Sequence, residues 1–208
     1  MLDKKKTSKV IASIIGVLLV GCGIAINNGA NLGNDPVGIF YDGIRMALNL
    51  SYEQLNIASS IVNVGLLLIV FLTGRKYVNI GTLIYILPYG LCISLGTIVF
   101  KAIPGTDYLM VRILCSALGC CLLYFGVAIF IVADIGLDPF TGLSMVIANC
   151  LGKDFRVGKW ITDFLLTLIG FLLHGALGTI TIFTLIAGGP LVSFFSRAIK
   201  RVLSAKYH

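Results

Sequence analysis

Two aspartates that precede prolines, Asp35-Pro36 and Asp138-Pro139, are the residues of this sequence best placed to do chemistry. Each closes a G-x-D-P turn, Gly33-Asn34-Asp35-Pro36 and Gly136-Leu137-Asp138-Pro139, and the turns are 138 − 35 = 103 positions apart. Aspartate before proline starts a helix, the carboxylate capping the free N–H groups and proline fitting the first turn. A helix start offers unpaired N–H groups and a positive dipole end to a polar or anionic ligand, whereas the carboxylate suits a cation or a proton. The plainer reading, that both acids are only caps, weighs about equally.

A second matched pair is Asn63 and Asp163, offset by 100. An acid inside an apolar segment is costly unless it faces water, a cavity or a partner. Its alternative is an interfacial ion pair with Lys159, four residues back; recurrence of a polar residue at the matched position favours function. Asn31 and Asp134 also match, each four residues before its Asp-Pro aspartate. They are candidate oxygen ligands, though loop solvation is the simpler account. The expected binding set is therefore Asp35, Asp138, Asp163, Asn63, Asn31 and Asp134, for an unknown small solute or ion.

These residues are carried by apolar segments. The 208 residues are 58% hydrophobic and 12% charged, with mean hydropathy +1.00. A soluble domain has about twice that charged share. Runs such as 10–26, 80–100 and 113–133 lack charge, and two or more reach the roughly 20 residues needed to cross a bilayer. The expectation is an all-α polytopic membrane protein in contact with lipid, with no soluble domain.

The matches extend along the chain. Gly16 and Gly23 pair with Gly119 and Gly126 at offset 103, and Gly81-Thr82 with Gly178-Thr179 at offset 97. Two copies, 10–100 and 108–202, each read as a span, a G-x-D-P turn, a short helix and two further spans. The expected spans are about 10–26, 53–73, 78–100, 108–133, 157–174 and 179–199, with short helices 36–48 and 139–151. Pro88 and Gly188-Gly189-Pro190 are expected to interrupt the third and sixth. Each proline frees a carbonyl one turn earlier, at Ile84 and Ile186. Thirteen residues reach only about 20 Å, so the short helices are expected to be re-entrant or interfacial. Three spans per copy would invert the second copy; eight spans, with four per copy, would make the copies parallel.

The net charge of +7 invites a nucleic-acid partner, but the basic residues sit in short clusters between spans. With the N-terminus in the cytoplasm, 13 of the 16 fall inside, from Lys4, Lys5, Lys6 and Lys9 through Arg75, Lys76, Lys153, Arg156 and Lys159 to Arg197, Lys200, Arg201 and Lys206. That pattern excludes nucleic acid and puts both termini inside. The segment 10–26 imitates a signal peptide, but no small-residue cleavage site follows it and it has an echo at 116–131. The six cysteines lie in apolar segments without a C-x-x-C pair, so packing is expected rather than disulfides or a metal. No nucleophile–base pair, phosphate loop or nucleotide motif appears, so neither an enzyme nor a cofactor is expected.

At the doubled G-x-D-P turns, with Gly178-Thr179 and Gly189-Pro190, the chain resembles the bacterial YczE/YyaS/YitT group of integral membrane proteins over nearly its whole length. That resemblance implies a small polytopic protein of the bacterial cytoplasmic membrane. The first copy departs from the pattern, with Asn63 where the second has Asp163 and Pro88-Tyr89-Gly90 in place of Gly-Pro. The leading functional expectation is a small permease for a polar or charged solute bound where the copies meet. The alternatives are a substrate-binding subunit working with a partner membrane complex, and an accessory membrane protein; a homodimer is compatible with each.

Overall fold

In the computed structural model, which describes residues 2–78 and 80–205, the chain forms eight α-helices and no strand among the described residues. They are α1 (Leu2–Ala30), α2 (Pro36–Ala47), α3 (Leu55–Gly74), α4 (Ile80–Lys101), α5 (Leu109–Ala133), α6 (Pro139–Cys150), α7 (Phe155–Leu172) and α8 (Thr179–Ala205). Lys206 lies outside the described residues. Five segments are long and apolar enough to cross a membrane: Thr7–Ala30, Tyr52–Tyr77, Gly81–Lys101, Leu109–Ala133 and Thr179–Val202. Their outer faces carry fully presented apolar side chains, among them Leu72, Leu87, Leu91 and Ile186. So much apolar surface is stable only against lipid. This is an all-α polytopic membrane protein.

The fifth expected span corresponds to α7, which has 18 residues, carries Lys159 and Asp163 in its first half and is not among those five. One expectation needs correction. Pro88 and Pro190 do not interrupt their helices, since α4 and α8 run through them unbroken. A proline removes one N–H from the ladder, a loss that a spanning helix tolerates when its remaining hydrogen bonds are kept. Gly189, beside Pro190, faces open space, whereas Gly178 packs against the Leu32 carbonyl.

The centre of the bundle is the crossing of α1 and α5. A Cβ placed on Gly16 would lie 2.8 Å from the Gly126 carbonyl oxygen, and one on Gly126 2.6 Å from that of Gly16. Gly23 and Gly119 face each other in the same way. Early α1 meets late α5 and late α1 meets early α5, so the two helices are antiparallel. Small residues at these points let the backbones touch, which supplies the packing that lipid-immersed helices need. α4 runs parallel to α1, with Gly21 against Cys92 and Gly96 against Cys22 and Ala25. α8 lies along α5, the Tyr124 hydroxyl donating to the Thr184 carbonyl at 3.5 Å.

The same contacts fix where the short helices go. Tyr52, just after α2, donates its hydroxyl to the Ala25 carbonyl near the end of α1 (2.7 Å), and its ring packs on Phe100 at the end of α4. α2 therefore returns to the end of the bundle from which α1 left it, and does not cross. α6 does likewise at the opposite end, where Asn149 meets Tyr77 and Val146 meets Gly74 below α3. At the start of α3, the Gln54 side chain accepts from the Ser51 N–H at 3.0 Å, as its capping pattern predicts.

Candidate functional site

Asp35 caps α2 through Oδ1, which accepts from the Gly38 N–H at 2.9 Å. The turn before it is folded into the bundle. The Asn34 amide donates to the Ile24 carbonyl at 3.1 Å and to Asn28 Oδ1 at 3.1 Å. Ile24 is 30 − 24 = 6 residues short of the end of α1, so Asp35 lies about 9 Å inside that end at 1.5 Å per residue. Asp138 caps α6, with Oδ1 accepting from the N–H groups of Phe140 and Thr141, both at 3.0 Å, and Oδ2 from the Thr141 hydroxyl at 2.5 Å. Both short helices thus start inside the protein and run outwards to opposite ends, their positive dipole ends facing the interior.

Each turn is covered by the start of a helix from the other half of the chain. Gly33, with φ +99°, seats against Gly178 and Thr181, and Gly136 lies against Gly81. Thr184 of α8 donates to the Asn34 carbonyl at 3.4 Å, and Thr82 of α4 to the Leu137 carbonyl at 2.8 Å. Asp35 is 8% exposed. It lies outside the spanning helices, where burial raises its carboxyl above the usual carboxylate range and the Gly38 N–H and Lys159 charge pull it back.

The remaining sequence candidates separate. Asn63 is fully buried, its amide donating to the Tyr41 hydroxyl and to the Ser59 carbonyl, each at 2.8 Å. Asp163 is paired with Lys159, the alternative weighed from sequence, yet it is within electrostatic reach of Asp35. Asn31 and Asp134 are both exposed, each in the left-handed conformation with φ 51° at the end of its helix. Asn and Asp tolerate that conformation better than other side chains, which accounts for their matching positions without any ligand. Arg45 pairs with Asp42 at 2.8 Å, and Asp42 Oδ2 accepts from the Ala176 N–H at 2.8 Å, tying α2 to the turn before α8.

Sequence reasoning passed over the tyrosines. Tyr41 of α2 packs against Tyr89 of α4 and Phe140 of α6, both with ring centroids 5.7 Å apart. Tyr85 stacks on Tyr89 at 5.0 Å and meets Phe130 of α5 edge-on at 5.3 Å. Tyr41 and Tyr89 are 0% and 1% exposed. Tyr41 belongs to α2 and its ring meets Phe140, the second residue of α6, so the phenols lie between the two short helices. A signal was present: Tyr85 and Tyr89, one helical turn apart in a charge-free span, place two polar tips on one buried face.

An open groove of about 260 Å³ also runs between α7 and α8, lined by Trp160, Asp163, Phe164, Thr167 and Leu185. The matching pair α3 and α4 is closed, Gly90 sitting against the Ser60 hydroxyl.

Apolar spanning helices around two inward-starting half-helices define a polytopic helical membrane protein. Residues 7–197 match the family of unknown function DUF6198, and the chain belongs to that family. It is also similar to the uncharacterized protein YyaS of Bacillus subtilis (strain 168), 23% identical over 92% of this chain and 94% of that protein. A similar relative is an uncharacterized protein of Haemophilus influenzae (strain ATCC 51907 / DSM 11121 / KW20 / Rd), 25% identical over 97% of this chain and 88% of the relative. No solved structure matches.

Proposed function

We propose that this chain is a small permease of the bacterial cytoplasmic membrane. It is built from two inverted copies and carries a polar or charged solute bound where they meet. The observation that carries this reading is the antiparallel α1–α5 crossing through reciprocal glycines, which sets two Asp-capped half-helices on opposite sides of one core. Related offsets connect the contacts: Gly16 meets Gly126, the counterpart of Gly23, and Gly23 meets Gly119, the counterpart of Gly16. A two-fold axis between α1 and α5 accounts for that exchange. Inverted copies with broken or half-length helices at mid-depth are the usual architecture of alternating access. Both termini face the cytoplasm on this reading, where the basic clusters fall.

The test is thermal unfolding of the purified, detergent-solubilised protein against a panel of ions, pH values and small metabolites. A solute that binds only the folded protein raises the melting temperature by mass action. We expect such a compound to stabilise the wild type and to lose most of its effect in Asp35→Asn and Asp138→Asn. A broad panel without any shift, together with variants that melt like wild type, would leave the acids as caps and favour an accessory protein.

A further inference from the structure

We infer that the cluster formed by Tyr41, Asn63, Tyr85 and Tyr89 is a recognition site for a small organic cation bearing N–H donors, such as a primary ammonium. This rests on the permease reading and names the class of its solute.

Two buried polar atoms in this cluster lack well-formed partners. Asn63 Oδ1 makes no hydrogen bond although Asn63 is 0% exposed. The Tyr89 hydroxyl makes no well-formed hydrogen bond, held only loosely by the Tyr41 and Tyr85 phenols on either side of it. Buried polar groups are almost always satisfied, so an orphan acceptor on α3 beside a loosely held hydroxyl on α4 is a place where a ligand's donor would fit. Asn63 Oδ1 is a pure acceptor, and its amide is already committed to Tyr41 and Ser59. It calls for a donor.

The charge balance selects the sign of that donor. Asp42, Glu53 and Asp163 each have a basic partner in an ion pair, whereas Asp35 and Asp138 make no ion pair among the described residues, Lys159 acting on Asp35 only from beyond ion-pair distance. Their helix-start N–H groups balance part of each charge, and a bound cation would balance the rest. The surroundings supply the rest of a cation site, since the stacked faces of Tyr85 and Tyr89, with Tyr41 tilted against them, present the negative side of the ring quadrupole. An anion would meet two carboxylates, ring faces and an orphan carbonyl oxygen. The site is closed by ring packing in this conformation, so the cation enters when the copies move apart.

The experiment is thermal unfolding of the purified full chain with ethylammonium chloride, tetramethylammonium chloride, sodium acetate and sodium chloride at equal ionic strength. We expect ethylammonium to raise the melting temperature by roughly 3 °C or more over sodium chloride. Tetramethylammonium, with the same charge but no N–H, should give a smaller rise, and acetate none. Tyr89→Phe removes a hydroxyl held only loosely by Tyr41 and Tyr85, so the unliganded variant should melt within about 1 °C of wild type while the ethylammonium shift falls by at least half. An undiminished shift in Tyr89→Phe, or a shift with acetate and none with ethylammonium, overturns the inference. Uptake of labelled ethylammonium into vesicles holding the protein separates the two readings. Stabilisation without uptake keeps the cation site and removes the permease; uptake of an anion alone does the reverse.

Discussion

Replacing Gly23 by alanine is the sharpest test of the α1–α5 crossing. The new Cβ would lie 2.6 Å from the Gly119 carbonyl oxygen, 2.7 Å from the Leu123 nitrogen and 3.0 Å from the Leu123 Cβ. Two of these are backbone atoms, so no rotamer change relieves the clash and the helices must separate. Overpacking of this kind costs about 1–3 kcal/mol, partly offset by about 1 kcal/mol of helix propensity gained on leaving glycine. A net loss of up to about 2 kcal/mol lowers the melting temperature of a chain this size by up to roughly 8 °C. Gly65 is the control: its Cβ would meet nothing within 4 Å, so Gly65→Ala should be neutral or stabilising by up to about 1 kcal/mol. The assay is a thiol-reactive dye during heating, because Cys92, Cys115 and Cys120 are free and buried and become reactive on unfolding. Gly23→Ala and Gly119→Ala relieve themselves by the same separation, so the double variant should lose less than the sum, by about 0.5 kcal/mol or more. A Gly23→Ala protein melting as high as Gly65→Ala, or strict additivity in the double variant, would refute a direct backbone crossing here.

Asp42→Ala leaves Arg45 without its partner and the Ala176 N–H without its acceptor, a loss of about 3–5 kcal/mol seen as a collapse in melting temperature or in folded yield. Asp138→Ala removes three hydrogen bonds at the start of α6 and should cost about 1–2 kcal/mol, whereas Asp138→Asn keeps a capping oxygen and should cost less than half of that in the same melt. Cysteines at Ser60 and Gly90, in a background without the native thiols, should form a disulfide readily because the two positions touch; cysteines at Phe164 and Leu185, across the α7–α8 groove, should form one far more slowly.

What the sequence made legible was whatever is local. The Asp-Pro starts, the lengths of α2 and α6 and the spans α1, α3 and α5 follow from capping chemistry and runs of apolar residues, which need no tertiary contact to be recognised. α7 was harder to place because Lys159 and Asp163 neutralise each other four residues apart, an arrangement that reads equally as an interface or as a site. The unbroken course of α4 through Pro88 could not be read from the proline itself, which breaks a helix in water and is tolerated in a spanning one. The tyrosine cluster is the least legible part. It gathers side chains from α2, α3 and α4, with α5 and α6 at its edge, and only the crossing angles of the bundle bring them together. Asn31 and Asp134 illustrate the reverse hazard, since a matched polar pair that suggested ligands instead ends two helices in the left-handed conformation.

The two halves differ most where a moving protein would have to differ. α3 lies closed on α4, with Gly90 against Ser60, while the equivalent α7 and α8 stand apart around the groove that exposes Asp163. Under the inverted-copy reading, the alternative state is obtained by letting each half adopt the packing of the other: α7 closes on α8, and α3 parts from α4. The exchange is chemically feasible because the outer faces of all four helices are apolar and lose nothing by sliding against lipid. It also gives Asn63 and Asp163 matched roles. Closing α7 on α8 would bury the Lys159–Asp163 pair, and opening α3 from α4 would bring the Asn63 acceptor and the Tyr89 hydroxyl to solvent. The Ser60–Gly90 disulfide should therefore trap one state only, abolishing solute movement across vesicles while leaving binding from one side intact. Movement at the wild-type rate with that disulfide fully formed would show that α3 and α4 need not part, and the exchange would have to be abandoned.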